Sequence, residues 1–96
     1  MTLRASEFLV IGGGSGIGKA IAARLLADGA KVIIAGRSAS KLEKTADELS
    51  SDRLFRMTLD ISDADSIPEK LRKAEKLLGR LDGFVNAAAL GGNQTL

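Results

Sequence analysis

The residues best suited to chemistry are Gly12-Gly13-Gly14-Ser15-Gly16-Ile17-Gly18, and the chemistry they suit is the holding of an anion. Glycine leaves no Cβ between main chain and ligand, and it reaches backbone angles closed to other residues. The apolar run Phe8-Leu9-Val10-Ile11 comes just before, and a helix-like pattern follows. The stretch therefore reads as strand, turn and helix start. Free N–H groups in a first helical turn face any anion placed there, and the helix dipole adds to the attraction. Gly18 would let that helix pack close to the strand. A glycine cluster alone also makes ordinary loops, so the flanking elements carry the argument.

Other chemistries are excluded by what the chain lacks. It has no cysteine and no histidine, which removes disulfides, thiolates and the usual ligands of zinc or a redox metal, so no metal site is expected. Ninety-six residues with 45% hydrophobic and 27% charged content suit one small soluble domain. No apolar run approaches the roughly 20 residues that cross a bilayer. The first strand is too short for the core of a signal peptide, which leads to the expectation of a cytoplasmic protein. A formal charge of +2 does not imply nucleic acid. The one basic group, Lys70, Arg72, Lys73 and Lys76, is interleaved with Glu69 and Glu75 and reads as a solvated helix face. With neither Trp nor Tyr, the stacking platforms of single-strand binders are missing too.

The elements that position the glycine turn follow in order. From Gly16 to Asp28, Ile17, Ile21 and Leu25 recur at i, i+4 and i+8, with Ala20, Ala22 and Ala23 allowing close approach to a sheet; Gly29 is the stop. Lys31-Val32-Ile33-Ile34-Ala35 is a continuous apolar run, suited to a strand buried on both faces of a parallel sheet. After Gly36-Arg37-Ser38, a cap at Ser38 or Ser40 begins a helix whose apolar face is Leu42, Ala46 and Leu49. Phe55, Met57 and Leu59 alternate with Arg56 and Thr58 in a third strand that closes at Asp60-Ile61. Ser66-Ile67-Pro68-Glu69 reads as a capping box, with Pro68 in the first turn of a third helix striped by Leu71, Ala74 and Leu78 and ended by Gly79. Gly83-Phe84-Val85-Asn86-Ala87-Ala88-Ala89 is the fourth strand and its exit. Four strands joined by three helices imply an α/β fold with a parallel sheet and right-handed crossovers. A glycine turn after strand one favours the strand order 3-2-1-4, with the ligand crevice between strands one and four. Residues 1–90 form the domain on this reading, and residues 91–96 a polar tail.

From Phe8 to Ala89 the chain resembles the short-chain dehydrogenase/reductase family, which implies a Rossmann-like sheet. Gly12, Gly16 and Gly18 match the spaced glycines of its TGxxxGxG loop. Asp60-Ile61 matches the acidic position after strand three, whose carboxylate in the family hydrogen-bonds the adenine amino group. Gly79-Arg80-Leu81-Asp82 and Val85-Asn86-Ala87-Ala88 look like its GxxD and NNAG stretches. The cofactor-binding residues so implied are Gly12, Gly14, Ser15, Gly16, Ile17, Gly18, Arg37, Ser38, Asp60, Ile61, Asn86, Ala87 and Ala88. Two departures stand out: Ile11 replaces the usual threonine, and Ala87 and Ala89 replace the second asparagine and the glycine of NNAG.

The end of strand two bears on which cofactor is held. An NAD site needs an acid there for both ribose hydroxyls, whereas a 2′-phosphate needs positive charge. Gly36 sits where the acid is expected and Arg37 follows. Arg37, Ser38 and Ser15 could surround a 2′-phosphate, which favours NADP(H) over NAD(H) by about 10- to 100-fold. The family's catalysis resembles acid chemistry by the tyrosine of YxxxK beside an upstream serine, but this chain contains no tyrosine. No residue is carried over as catalytic. The chain thus reads as the NADP(H)-binding, N-terminal part of a short-chain dehydrogenase/reductase, truncated or isolated and inactive alone. Two alternatives stand beside this: a nucleotide-binding or interaction module that dimerises or complements another chain through the edge of strand four, and an enzyme completed by a second chain.

Overall fold

The computed structural model describes residues 6–12, 14, 16–60 and 62–87. Strands and helices alternate as β1 (Glu7–Ile11), α1 (Gly16–Ala27), β2 (Lys31–Gly36), α2 (Ala39–Leu49), β3 (Leu54–Thr58), α3 (Ile67–Leu78) and β4 (Gly83–Asn86). All pairings are parallel, and the strand order is β3-β2-β1-β4. This is the α/β, Rossmann-like order expected from the sequence. The chain steps outward from β1 to β3 and then crosses back, so that β4 pairs with the free side of β1.

Each face of the sheet has its own core. Ala22, Leu26 and Leu42 of α1 and α2 pack on Val10, Val32 and Ile34. On the other face Ala74 and Leu78 of α3 cover Leu9, Ile11, Ile33, Ala35 and Met57. From Val32 to Ala35 every residue of β2 is fully buried, as a strand sandwiched between helix layers must be. Ile11 belongs to the core on the α3 face, so the residue that replaces the family's threonine serves as apolar packing.

Two local expectations are corrected. Gly18, Ala22 and Leu26 are the buried residues of α1, while Ile21 and Leu25 are only partly buried at its flanks and Ile17 is 43% exposed. The contact seam is thus rotated by one residue from the Ile17/Ile21/Leu25 stripe, because a ridge of small side chains lets the helix axis come closer to the sheet than a ridge of isoleucines. The capping box at Ser66 does not form. A 3-10 turn at Ala64–Ser66 leads into α3, so Ser66 is already helical, and its hydroxyl donates to the Asp63 carbonyl at 2.9 Å instead of capping. Pro68 does fall in the first turn of α3, where no donor is required.

Polar clasps hold the sheet at the end away from the glycine turn. The Glu7 N–H donates to the Asp82 carboxylate at 2.6 Å, and the Asp82 N–H returns a bond to the Glu7 carbonyl at 2.8 Å. Together they fix how β4 starts against β1, and so bring Asn86 level with Ile11. The largely buried Glu7 carboxylate is compensated by charge, with Arg80 Nε at 3.1 Å and Lys31 Nζ at 3.9 Å. Arg53 donates to the carbonyls of Leu26 and Ala30 at 2.8 and 3.4 Å, tying the end of α1 to the start of β3.

Candidate functional site

Because the strands are parallel, their carboxyl ends share one edge of the sheet, and the reversal in strand order leaves a crevice there between β1 and β4. Gly12 turns the chain out of β1 with φ +84°, a left-handed angle that glycine adopts without strain, and its N–H donates to the Ala35 carbonyl at 2.6 Å. The glycine loop then approaches α2: a Cβ on Gly14 would lie 3.3 Å from Lys41 Cβ. Gly16 is different. It begins α1, and among the described residues no atom lies within 4 Å of where its Cβ would stand. No described neighbour demands glycine at 16, and the bare first turn of α1 leaves room for an anion. Gly18 is buried, as close packing of α1 requires, and Ile17 is exposed at the mouth of the crevice.

At the end of β2, Arg37 is exposed and Ser38 caps α2, its Oγ accepting from the Lys41 N–H at 3.3 Å. Ser38 Oγ also lies 3.2 Å from Ser40 Oγ, a bond in which either hydroxyl can donate. Asp60 follows β3. Its carboxylate accepts from the Ser62 hydroxyl at 2.6 Å and the Ser62 N–H at 2.9 Å. These two bonds, hydroxyl first, hold the Asp60 carboxyl below its ordinary pKa, and the positive charge of Arg37 adds a smaller effect. Asp60 is therefore a fixed, ionised acceptor. Arg37, Thr58, Leu59, Asp60, Asp63, Ser66 and Lys70 line one open pocket of about 280 Å³.

Asn86 ends β4 beside Ile11, at the other rim of the crevice. Ala87 is fully buried among Val10, Ala22 and Val32, so its methyl fills the core. Ser15, Ile61 and Ala88 lie outside the described residues, as do Ala89 and the tail from 91 to 96. Sequence reasoning missed Ser62 and Lys70. The first is signalled by an aspartate two residues before a serine, the pattern of an Asx turn. The second is signalled by a lysine in the first turn of a helix, where the dipole disfavours it.

The arrangement suits a ligand with several phosphates and a polar base: helix-terminal N–H groups at the crevice, then a guanidinium and hydroxyl, then an ionised acceptor. Both carboxyl groups with displaced pKa values, Glu48 and Asp60, are shifted down, away from the range of a general acid. Among the described residues no group of three or more His, Cys, Asp or Glu is placed to hold a metal ion. No helix among them is long and apolar enough to cross a membrane.

Comparison with known proteins agrees with this geometry. The family model for short chain dehydrogenase matches residues 7–96. An uncharacterised oxidoreductase of Staphylococcus aureus (strain USA300) is 40% identical over 80 residues, which are 83% of this chain and 35% of that protein. Among solved structures, a short-chain type dehydrogenase/reductase from Mycobacterium ulcerans superposes with a TM-score of 0.82 at 35% identity, over 90% of this chain and 33% of its own. A 3-ketoacyl-(acyl-carrier-protein) reductase from Brucella melitensis, complexed with NADH, gives 0.79 at 30% identity, over 86% of this chain and 34% of that one. The chain thus spans about a third of the length of the relatives it matches. With the family model matching residues 7–96 and the strand order in agreement, the chain belongs to the short-chain dehydrogenase family.

Proposed function

We propose that this chain is the NADP(H)-binding portion of an oxidoreductase of this family, and that it does not transfer hydride alone. The observation that carries the reading is the open N-terminus of α1 at the strand-order reversal, on the same sheet edge as the pocket of Arg37 and Asp60. Gly12, Gly14, Ser15, Gly16, Ile17 and Gly18 hold the pyrophosphate, Arg37 and Ser38 the 2′-phosphate, Asp60 and Ile61 the adenine, and Asn86, Ala87 and Ala88 the rim on β4. When bound, NADP(H) supplies the hydride chemistry. This chain's own residues bind and orient it. The Brucella reductase is complexed with NADH, so the cofactor class is common ground and the choice of phosphorylated form turns on residues 36 and 37. A glycine at 36 and a cation at 37 support NADP(H).

Without contacts from the nicotinamide side, binding is expected to be weak, about 0.1–1 mM or roughly 4–5.5 kcal/mol. Calorimetric titration of NADPH and NADH against the wild type and Arg37→Ala tests this. The mutant should lose most of the preference for NADPH. No heat at millimolar NADPH sinks the cofactor reading, and an unchanged NADPH/NADH ratio in the mutant sinks the role of Arg37. The location proposed is the cytoplasm. At the sheet edge Phe84 of β4 is 58% exposed, which supports pairing of that edge with a second or complementing chain. Light scattering that finds only monomer at high concentration would count against self-pairing.

A further inference from the structure

Lys70 stands apart from the basic residues around it. Arg72, Lys73 and Lys76 are exposed on the wet face of α3, while Lys70 is half-buried and lines the pocket shared by Arg37 and Asp60. Its side chain makes no ion pair or hydrogen bond among the described residues. It also sits in the first turn of α3, where the helix dipole disfavours a cation, so helix stability does not account for it. A half-buried, unpaired ammonium in that position is placed for a ligand, and the question is which part.

The order of the sheet answers it. The crevice with the α1 N-terminus lies at β1, Arg37 and Ser38 at the end of β2, and Asp60 at the end of β3, one strand further out. Lys70 reaches the pocket from α3, which packs on the sheet face opposite α1 and α2. A dinucleotide laid along this edge in the way proposed above puts pyrophosphate, ribose 2′-phosphate and base in that sequence. Lys70 shares its pocket with both Arg37 and Asp60, and the partner assigned to it is the base, at the Asp60 end. A carboxylate only accepts and an ammonium only donates. Adenine presents a matching pair on one edge, the N6 amino group as donor and a ring nitrogen beside it as acceptor; guanine has two acceptors there, O6 and N7.

We propose that Lys70 is a base-reading residue of the cofactor site: its Nζ donates to a ring nitrogen of adenine while the Asp60 carboxylate accepts from the amino group, so that the pocket selects adenine nucleotides by a donor–acceptor pair drawn from the end of β3 and the first turn of α3. The inference rests on the NADP(H) reading and adds to it a residue from α3, an element that takes no part in holding the phosphates.

The test is calorimetric titration of NADPH and NADH against the wild type, Lys70→Met, Lys70→Arg and Lys73→Met, with thermal melts of each. Loss of one charge-assisted hydrogen bond to the base should weaken both cofactors about 10-fold in Lys70→Met, leaving their ratio unchanged and the melting temperature no lower than that of the wild type. Lys70→Arg should stay within a few-fold of wild type, and Lys73→Met should match it. Wild-type affinity in Lys70→Met overturns the proposal. Weakening of NADPH alone also overturns it, since Lys70 would then touch the 2′-phosphate. Equal weakening by Lys73→Met reduces the effect to long-range charge and overturns it as well. Failure of the wild type to bind either cofactor is a separate outcome, which defeats the NADP(H) reading itself and this proposal with it.

Discussion

Replacing Gly16 by alanine separates folding from binding at a glycine that its described neighbours do not require. Gly16 opens α1 with no left-handed φ, and the added methyl would meet no atom of the described residues within 4 Å. Alanine also has less freedom than glycine to lose when the chain folds, so Gly16→Ala should stabilise the domain by about 0.5 kcal/mol. For a domain of this size, that raises the melting temperature by about 2–4 °C. The same methyl stands between the first-turn N–H groups and any phosphate seated on them. NADPH affinity should therefore drop at least ~10-fold while stability rises. Gly14→Ala supplies the contrast: its methyl would press on Lys41 Cβ at 3.3 Å, so that variant should melt lower than wild type before any ligand is added. Melting curves without ligand and calorimetry with NADPH read both quantities. If Gly16→Ala binds NADPH as tightly as wild type, no anion rests on this turn; if it melts lower, the start of α1 has been misjudged.

Three further outcomes are expected. Gly36→Asp places an acid at the end of β2 where its Cβ meets only Leu42 Cδ2 at 3.7 Å, so the variant should fold normally and reverse the NADPH/NADH preference; a retained preference for NADPH would refute the role given to residue 36. Asp60 has a lowered pKa, so the support its carboxylate gives the turn with Ser62 is complete above the ordinary aspartate value and is lost as pH falls through the lowered one. In Ser62→Ala that loss should begin at higher pH, which a carbonyl-carbon NMR titration of Asp60 measures; an unmoved midpoint would show that Ser62 does not hold the carboxylate. Asp82→Ala removes the acceptor of the Glu7 N–H and should cost about 1–2 kcal/mol in urea unfolding, whereas an unchanged midpoint would mean that the clasp at the start of β4 contributes nothing.

The parts of the fold that were legible in the sequence rested on signals with a single physical reading. Val32 to Ala35 is an unbroken apolar run, and only a strand covered on both faces buries all of it. The glycine turn after β1, in a chain of alternating strands and helices, was enough to place β4 beside β1. Ser38 before a helical pattern became the cap. Misreadings arose where a residue's type and its place in the packing diverge. Ile17, Ile21 and Leu25 outweigh Gly18 and Ala22 in hydrophobicity, yet closeness of approach decides the seam of α1, and small residues win it. Thr45, passed over as polar, is buried beside Leu42 on α2. Ser66 has the residue type of a cap but already adopts helical angles. For the candidate site, Gly12 to Gly18, Arg37 and Ser38 could be named from local pattern, and Asp60 only through the resemblance to the family. Ser62 was legible only as half of a local Asx turn with Asp60. Lys70 reaches the pocket through the crossover to α3, a juxtaposition that exists only once β3 and α3 have packed.

The most direct test of the central claim is an amide-resolved NMR titration of the chain with NADPH. The account requires shifts at Gly12, at Gly16 to Gly18 and at Arg37 and Ser38, fitting one dissociation constant of about 0.1–1 mM. Amides at the opposite end of the sheet, around Glu7 and Asp82, should stay in place. A spectrum unmoved by 10 mM NADPH, roughly ten times the weakest affinity allowed for, would contradict it. So would saturable shifts confined to residues away from the carboxyl ends of β1 and β2.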